Sequence, residues 1–305
     1  MVDIKEIKSI ELVPFTLMTS SVSAILALIY AILLLITFGA LAAFIPTVGL
    51  VFASLGLSMI VIFPIVSFLF YITISFVTAL IYNMLVPRLG GIKLGLEGDE
   101  VKNVPAVPFA LITAAVGAVW AFIIGLVLAA IIIPLTTLAS TLIPLAANIT
   151  ANATNMTPAT LPTGSAVGTG GVVIALLLII GLPIFVFIAG FIYNVLWAIF
   201  YNLLIPRVGG VKLLFAPAGT AHEITSIPVV AASLAFAVVA TVFGIIQGIF
   251  GLINGLMAGS ASMAFGSLFS NIIGGFIGTF IMVAIITILY NFLAPRIGGV
   301  QLGFK

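Results

Sequence analysis

Tyr82-Asn83, Pro87-Arg88 and Gly90-Gly91 return at the same spacing as Tyr201-Asn202, Pro206-Arg207 and Gly209-Gly210, and again as Tyr290-Asn291, Pro295-Arg296 and Gly298-Gly299. The acidic and basic side chains lie at the N-terminus between Asp3 and Glu11, within these signatures, or in the short stretches that follow them. Long uncharged runs fill the rest, each exceeding the ~20 residues that carry a helix across the hydrocarbon of a bilayer. With only 5% charged residues and 64% hydrophobic ones, a soluble fold of this length could not cover its surface. The chain is therefore expected to be an all-α integral membrane protein.

An internal period is settled before any finer reading. Aligning the signatures brings three lead-in segments into register, opening at Ile10, Val104 and Ile227 and, in the first two, running into Pro14-Phe15 and Pro108-Phe109. Pro64 and Pro183 stand equally far before Tyr82 and Tyr201, where the third copy has Ile272. Each copy reads as an extended lead-in, a helix out, an outer loop, a helix back and the signature. The repeats cover 1–98, 99–218 and 219–305, and the six spans lie near 15–45, 57–85, 106–135, 172–204, 229–256 and 271–293. The fold expected is three repeated helical hairpins, either closed about a pseudo-threefold axis or set in a curved row. Lys5, Lys8, Arg88, Lys93, Lys102, Arg207, Lys212, Arg296 and Lys305 all fall on the same side of these spans. The positive-inside rule puts that side, with both termini, in the cytoplasm of a cell membrane. The first apolar run is too long for the core of a cleaved leader and recurs as part of a repeat, so it reads as a retained span.

The largest outer loop, expected over 136–171, holds three glycosylation triplets, at Asn148, Asn152 and Asn155. If they are used, the membrane is an archaeal or eukaryotic surface membrane.

The signature has a local logic. Proline cannot donate to the carbonyl four residues earlier, and that residue is Asn83, Asn202 or Asn291 in every copy. A spare amide is thus expected to find a partner in its own helix or a neighbouring one. Arg88, Arg207 and Arg296 stand where a cation meets the negative end of the helix dipole and lipid phosphate. Each Gly-Gly pair is expected to supply positive φ for a sharp exit turn. The alternation after it, at Ile92/Leu94, Val211/Leu213 and Val300/Leu302, reads as a short half-buried strand. These cytoplasmic strands are expected to pair with the lead-in segments as small sheets.

The unit resembles a prokaryotic family of two-helix transmembrane domains of unknown function, whose pattern is a short polar lead-in, two apolar helices and a Tyr-Asn…Gly-Gly close. The resemblance covers essentially the whole chain as three tandem copies, carried best by Tyr82, Asn83, Gly90, Gly91 and their equivalents. The third copy departs at its lead-in, with Ala231-Ala232 in place of Pro-Phe. The resemblance implies the fold and the topology and transfers no activity.

Chemistry is sparse. Without cysteine there is no thiolate nucleophile or Cys-ligated metal, and His222 is the single histidine. No Asp, Glu, Lys, Arg or His falls in an expected span, where proton relays commonly keep them. The zinc-protease, nucleophile-elbow and P-loop spacings do not occur. The expectation is a protein that is not an enzyme, takes no cofactor or metal, and binds no nucleic acid. The leading reading is a structural or accessory subunit of a larger membrane complex, in contact with lipids and other membrane-protein subunits. The alternatives are a channel or transporter for a small neutral solute, or anionic-lipid binding at Arg88, Arg207 and Arg296. A polar stripe at Ser67, Tyr71, Ser75, Thr78 and Tyr82 would suit a water-lined path, but its equivalents lose polarity copy by copy, which favours a helix-to-helix seam. Gly244, Gly248, Gly251, Gly255 and Gly259, with Gly274 and Gly278, have the small-xxx-small spacing of close helix contact. Gln247 and Asn254, seven residues apart, are placed to face a neighbouring helix or a partner subunit.

Overall fold

The computed structural model describes residues 2–154 and 164–304. Among them, six helices are long and apolar enough to cross a membrane: Leu12–Ala42, Ser54–Leu89, Ala106–Ile143, Gly170–Val208, Val229–Met257 and Ala261–Ile297. Such a set fits a multi-pass membrane protein. The apolar residues run round all sides of these helices, as they must where lipid rather than water is the solvent.

One compact unit comprises Met1–Ile112 and Val195–Lys305. In it, β1 (Asp3–Ile10) feeds α1 (Leu12–Phe44), which packs along α2 (Pro46–Leu89). Then come β2 (Lys93–Glu97) and β3 (Glu100–Asn103), and the start of α3 (Ala106–Thr154). After the end of α5 (Leu182–Val208) follow β4 (Val211–Lys212), β5 (Leu214–Ala218) and β6 (Ala221–Ser226). The helix α6 (Val229–Met257) packs along α7 (Ala261–Ile297), which also touches α1, and β7 (Gln301–Phe304) ends the chain.

The seven strands form a single antiparallel sheet in the order β4-β3-β2-β1-β7-β6-β5. Its two end strands, β4 and β5, are separated in sequence by Leu213 alone. Every lead-in strand is flanked on both sides, β1 by β2 and β7, β3 by β2 and β4, and β6 by β5 and β7. The expectation of small separate sheets is replaced by one seven-stranded sheet, whose two end strands the chain itself joins. The two connections β2–β3 and β5–β6 turn at Gly98 (φ 60°) and Gly219 (φ 63°), the left-handed first position that tight hairpins require.

Above the sheet, Leu96, Val101 and Val104 join Ala198, Tyr201, Ile205, Ala235 and Val239 in a buried cluster. Trp197 lies between Phe109 and Phe236, with ring centroids 5.8 and 5.5 Å away.

The second unit, Thr113–Asn194, holds the rest of α3, α4 (Gly164–Leu176), a π-helical turn at Leu177–Gly181 and the first part of α5. A wide turn directly before Pro183 accommodates the missing N–H donor. The loop expected over 136–171 is mostly helix, since α3 runs on to Thr154 and α4 starts at Gly164. Ala there is a strong helix former, and the Thr hydroxyls bond back to the helix, Thr136 to Ile132 (2.9 Å) and Thr137 to Ile133 (2.8 Å). Asn148 and Asn152 lie on the α3 backbone, and Asn155 lies outside the described residues. The first outer loop is likewise shorter than expected, Ile45 alone separating α1 from α2.

Candidate functional site

What the signature builds is a clamp between the end of each returning helix and the lead-in strand of the same copy. In the first copy the Tyr82 hydroxyl donates to the Ile7 carbonyl (2.8 Å) and accepts from the Ile92 N–H (3.0 Å). Asn83 takes the backbone of Ile10 by both its atoms, accepting from N–H at Oδ1 and donating to C=O from Nδ2, each at 2.8 Å. The second copy repeats this with Tyr201 on Val101 and Val211, and Asn202 on Val104. The third does so with Tyr290 on Ile224 and Val300, and Asn291 on Ile227. The asparagine amide therefore serves a strand end rather than a helix carbonyl, contrary to expectation. The physical reason is need: Ile10, Val104 and Ile227 sit where the strand stops and the helix has yet to start, so their backbone groups lack ladder partners.

A glutamate completes each clamp. Glu6 Oε1 accepts from the Gly91 N–H (2.7 Å), Glu100 Oε1 from Gly210 (2.5 Å) and Glu223 Oε1 from Gly299 (2.6 Å). These three carboxylates stand outside the signature itself, and no sequence expectation names them. The signal was present in Glu6-Ile7-Lys8-Ser9-Ile10, Glu100-Val101-Lys102-Asn103-Val104 and Glu223-Ile224-Thr225-Ser226-Ile227. Lys8 pairs with Glu6 and Lys102 with Glu100, both at 2.8 Å, whereas the third copy has Thr225 in that place. The Gly91 N–H, helped by the Lys8 ammonium, holds the Glu6 carboxyl below the usual range. The Lys102 ammonium, helped by the Gly210 N–H, does the same for Glu100.

The paired glycines divide their duties. Gly90, Gly209 and Gly298 carry the positive φ, at 82°, 87° and 85°. Gly91, Gly210 and Gly299 do not, and are needed for a different reason. A Cβ on any of them would collide with the backbone carbonyl of Ile7, Val101 or Ile224, the same oxygen that the tyrosine holds. Each pair thus supplies the expected positive φ through its first glycine alone.

The arginines take no part in the clamp. Arg88, Arg207 and Arg296 are exposed in the last turns of α2, α5 and α7. Each follows its tyrosine by six residues, which places it about 240° round the helix, on another face. Arg296 lies over the Phe292 ring, 3.8 Å from its centroid, and donates to the Phe292 carbonyl. Pro87, Pro206 and Pro295 are within the last helical turns.

Two residues of the polar stripe, Ser67 and Ser75, bond across a helix–helix seam, while Tyr71 is exposed. Thr19 donates to Ser75 (2.6 Å) and Ser67 to the Ser23 carbonyl (3.1 Å) across α1 and α2. Its equivalents Gly190 and Gly275 face Ala114 and Ala240. Gly244, Gly248, Gly251 and Gly255 press α6 onto α7 so closely that a Cβ would strike Asn271, Leu268, Ser267 or Ala264, while Gly274 and Gly278 face open space. His222, on β6, meets the Phe304 ring edge-on at 5.4 Å. Among the described residues no group of three or more His, Asp or Glu side chains is placed to hold a metal ion.

Comparison with protein-family models, with curated proteins and with solved structures finds nothing that matches this chain.

Proposed function

We propose that this chain is a non-enzymatic scaffold of the membrane, a structural or accessory subunit around which other membrane proteins assemble. The carrying observation is the thrice-built clamp. Its Tyr, Asn, Glu and Gly groups are all engaged with backbone, so the most elaborated part of the molecule fastens helices and offers no reacting group. In this reading the chain is a tandem triplication of one two-helix unit, as the resemblance implies, with repeats 1–98, 99–218 and 219–305. The strand sheet, in the same reading, lies on the cytoplasmic face. The long apolar faces left over are then available to lipid and to partner helices. Ser67 and Ser75 of the polar stripe, bonded across α1 and α2, lend no support to a solute path.

Mild detergent extraction from native membranes followed by quantitative mass spectrometry tests the reading. A partner membrane protein recovered in fixed stoichiometry is expected; a chain recovered free of any other protein overturns it.

One observation favours anionic-lipid binding as a second role. Arg88, Arg207 and Arg296 are exposed and free of carboxylate partners among the described residues, at the depth where helix ends meet phosphate. Retention of anionic lipid by the purified protein, lost when all three are replaced by Gln, tests this role.

A further inference from the structure

Within the six spans, away from the clamp asparagines, four side-chain amides occur: Asn194, Gln247, Asn254 and Asn271. Two are satisfied by their own helices, Asn194 donating to the Gly190 carbonyl (2.7 Å) and Asn271 to the Ser267 carbonyl (2.8 Å). Gln247 and Asn254 are exposed, and among the described residues their side chains have no hydrogen-bond partner. They belong to one face of α6, since seven residues bring the helix back to within about 20° of the same direction. The surface round them is apolar, with Phe250 64% and Met257 82% exposed on the same side. An amide set among such groups is in contact with oil or with another protein, and in oil its donors and acceptor go unmatched.

From this geometry we infer that the Gln247–Asn254 face of α6 is a self-association surface, occupied by α6 of a second copy of this chain. A carboxamide is donor and acceptor together, so it is complementary to itself across a twofold axis, which an isolated cation or anion is not. Two copies inserted with the same orientation have their twofold along the membrane normal. That axis sets α6 parallel to its mate and places Gln247 opposite Gln247 and Asn254 opposite Asn254. Spacing by seven is the repeat of a left-handed two-helix seam, in which a polar residue at one seam position fixes register and pair formation. The neighbouring side of α6, roughly 80° round from these amides, is already occupied, because its glycines are pressed on α7. The surface is independent of whether a different protein also binds the chain.

The lack of cysteine gives a clean test in native membranes. Gln247→Cys and Asn254→Cys, made singly in the full chain and mildly oxidised, are expected to give a species of twice the chain's mass. Ile249→Cys, exposed on α6 but about 200° from Gln247, is expected to give none. The double variant Gln247→Leu/Asn254→Leu leaves the fold's own hydrogen bonds intact and is expected to weaken dimerisation about tenfold, from two lost amide pairs. Cross-linking that is absent at Gln247 and Asn254, that is equal at Ile249, or that captures a different protein overturns the inference, as does a Leu variant that dimerises like the parent.

Discussion

The Tyr201 hydroxyl and the Val101 carbonyl meet at 2.8 Å, although 100 residues of chain separate them. Tyr201 is only 2% exposed, and its oxygen also accepts the Val211 N–H. One phenol thus ties a helix end, a lead-in strand and an exit strand. The same three-way junction stands at Tyr82 and Tyr290.

Removing that oxygen isolates its worth. Tyr201→Phe keeps the ring against Trp197 but leaves a carbonyl and an N–H short of a partner in a buried place, which costs about 1–3 kcal/mol. Tyr82→Phe and Tyr290→Phe should cost similar amounts, since their bonds are the same. Unfolding in detergent, followed by near-ultraviolet circular dichroism, measures it. Three equal and small losses below about 0.5 kcal/mol would show that water replaces the hydroxyl.

The second glycine of each pair is predicted to be the least replaceable position. In Gly91→Ala the new methyl meets the Ile7 carbonyl, a backbone atom that moves only if the strand moves. The sheet is shared by all three copies, so displacement in one disturbs the others. Gly274→Ala is the matched control, because that glycine faces open space on a helix. It should be neutral or stabilising by up to ~1 kcal/mol. Thermal midpoints of the two variants, side by side, make the comparison.

Much of this was legible, and the pattern of what was not is instructive. Tyr, Asn and the glycine pair stood out because the clamp admits no substitute there: only Gly fits beneath the carbonyl, and only an amide can both accept and donate to one residue's backbone. The strands were legible from their alternation. The glutamates escaped because 76 residues separate Glu223 from the Gly299 it binds, and unequal outer segments give each copy a different separation. The single sheet escaped for a related reason. That β7 lies beside β1 is a contact between the chain's two ends, and no local pattern encodes it. Helix ends at the outer side were misjudged because Thr and Ala there read as loop, yet Ala favours helix and the Thr hydroxyls bond back to it.

Acid should loosen the clamp by a calculable sign. Glu6 and Glu100 titrate below the ordinary 4.5 in the folded chain. A carboxylate with a depressed folded value contributes stability in full above its unfolded value and loses it as pH falls through the folded one. The parent is expected to lose thermal stability steeply from about pH 5 downward. Glu6→Gln/Glu100→Gln should begin lower at neutral pH and decline less. Parallel pH profiles of parent and variant would remove these two residues from the explanation.

Topology yields the last prediction. All seven strands share one hydrogen-bonded sheet, so their connecting turns must lie on one side of the bilayer, whichever side that is. The cations predict which side. Lys5, Lys8, Arg88, Lys93, Lys102, Arg207, Lys212 and Arg296 all sit on strands or at the helix ends next to them, and such a bias holds that side in the cytoplasm. Asp99 and Thr220, exposed in the β2–β3 and β5–β6 turns, can be changed to cysteine without touching a cation or a clamp group. Neither should react with a membrane-impermeant maleimide on intact cells, and both should react once the cells are opened. Ala258→Cys, exposed in the α6–α7 turn, should react in both. Labelling of Asp99→Cys and Thr220→Cys from opposite sides would break the sheet itself, because its strands cannot pair through the hydrocarbon.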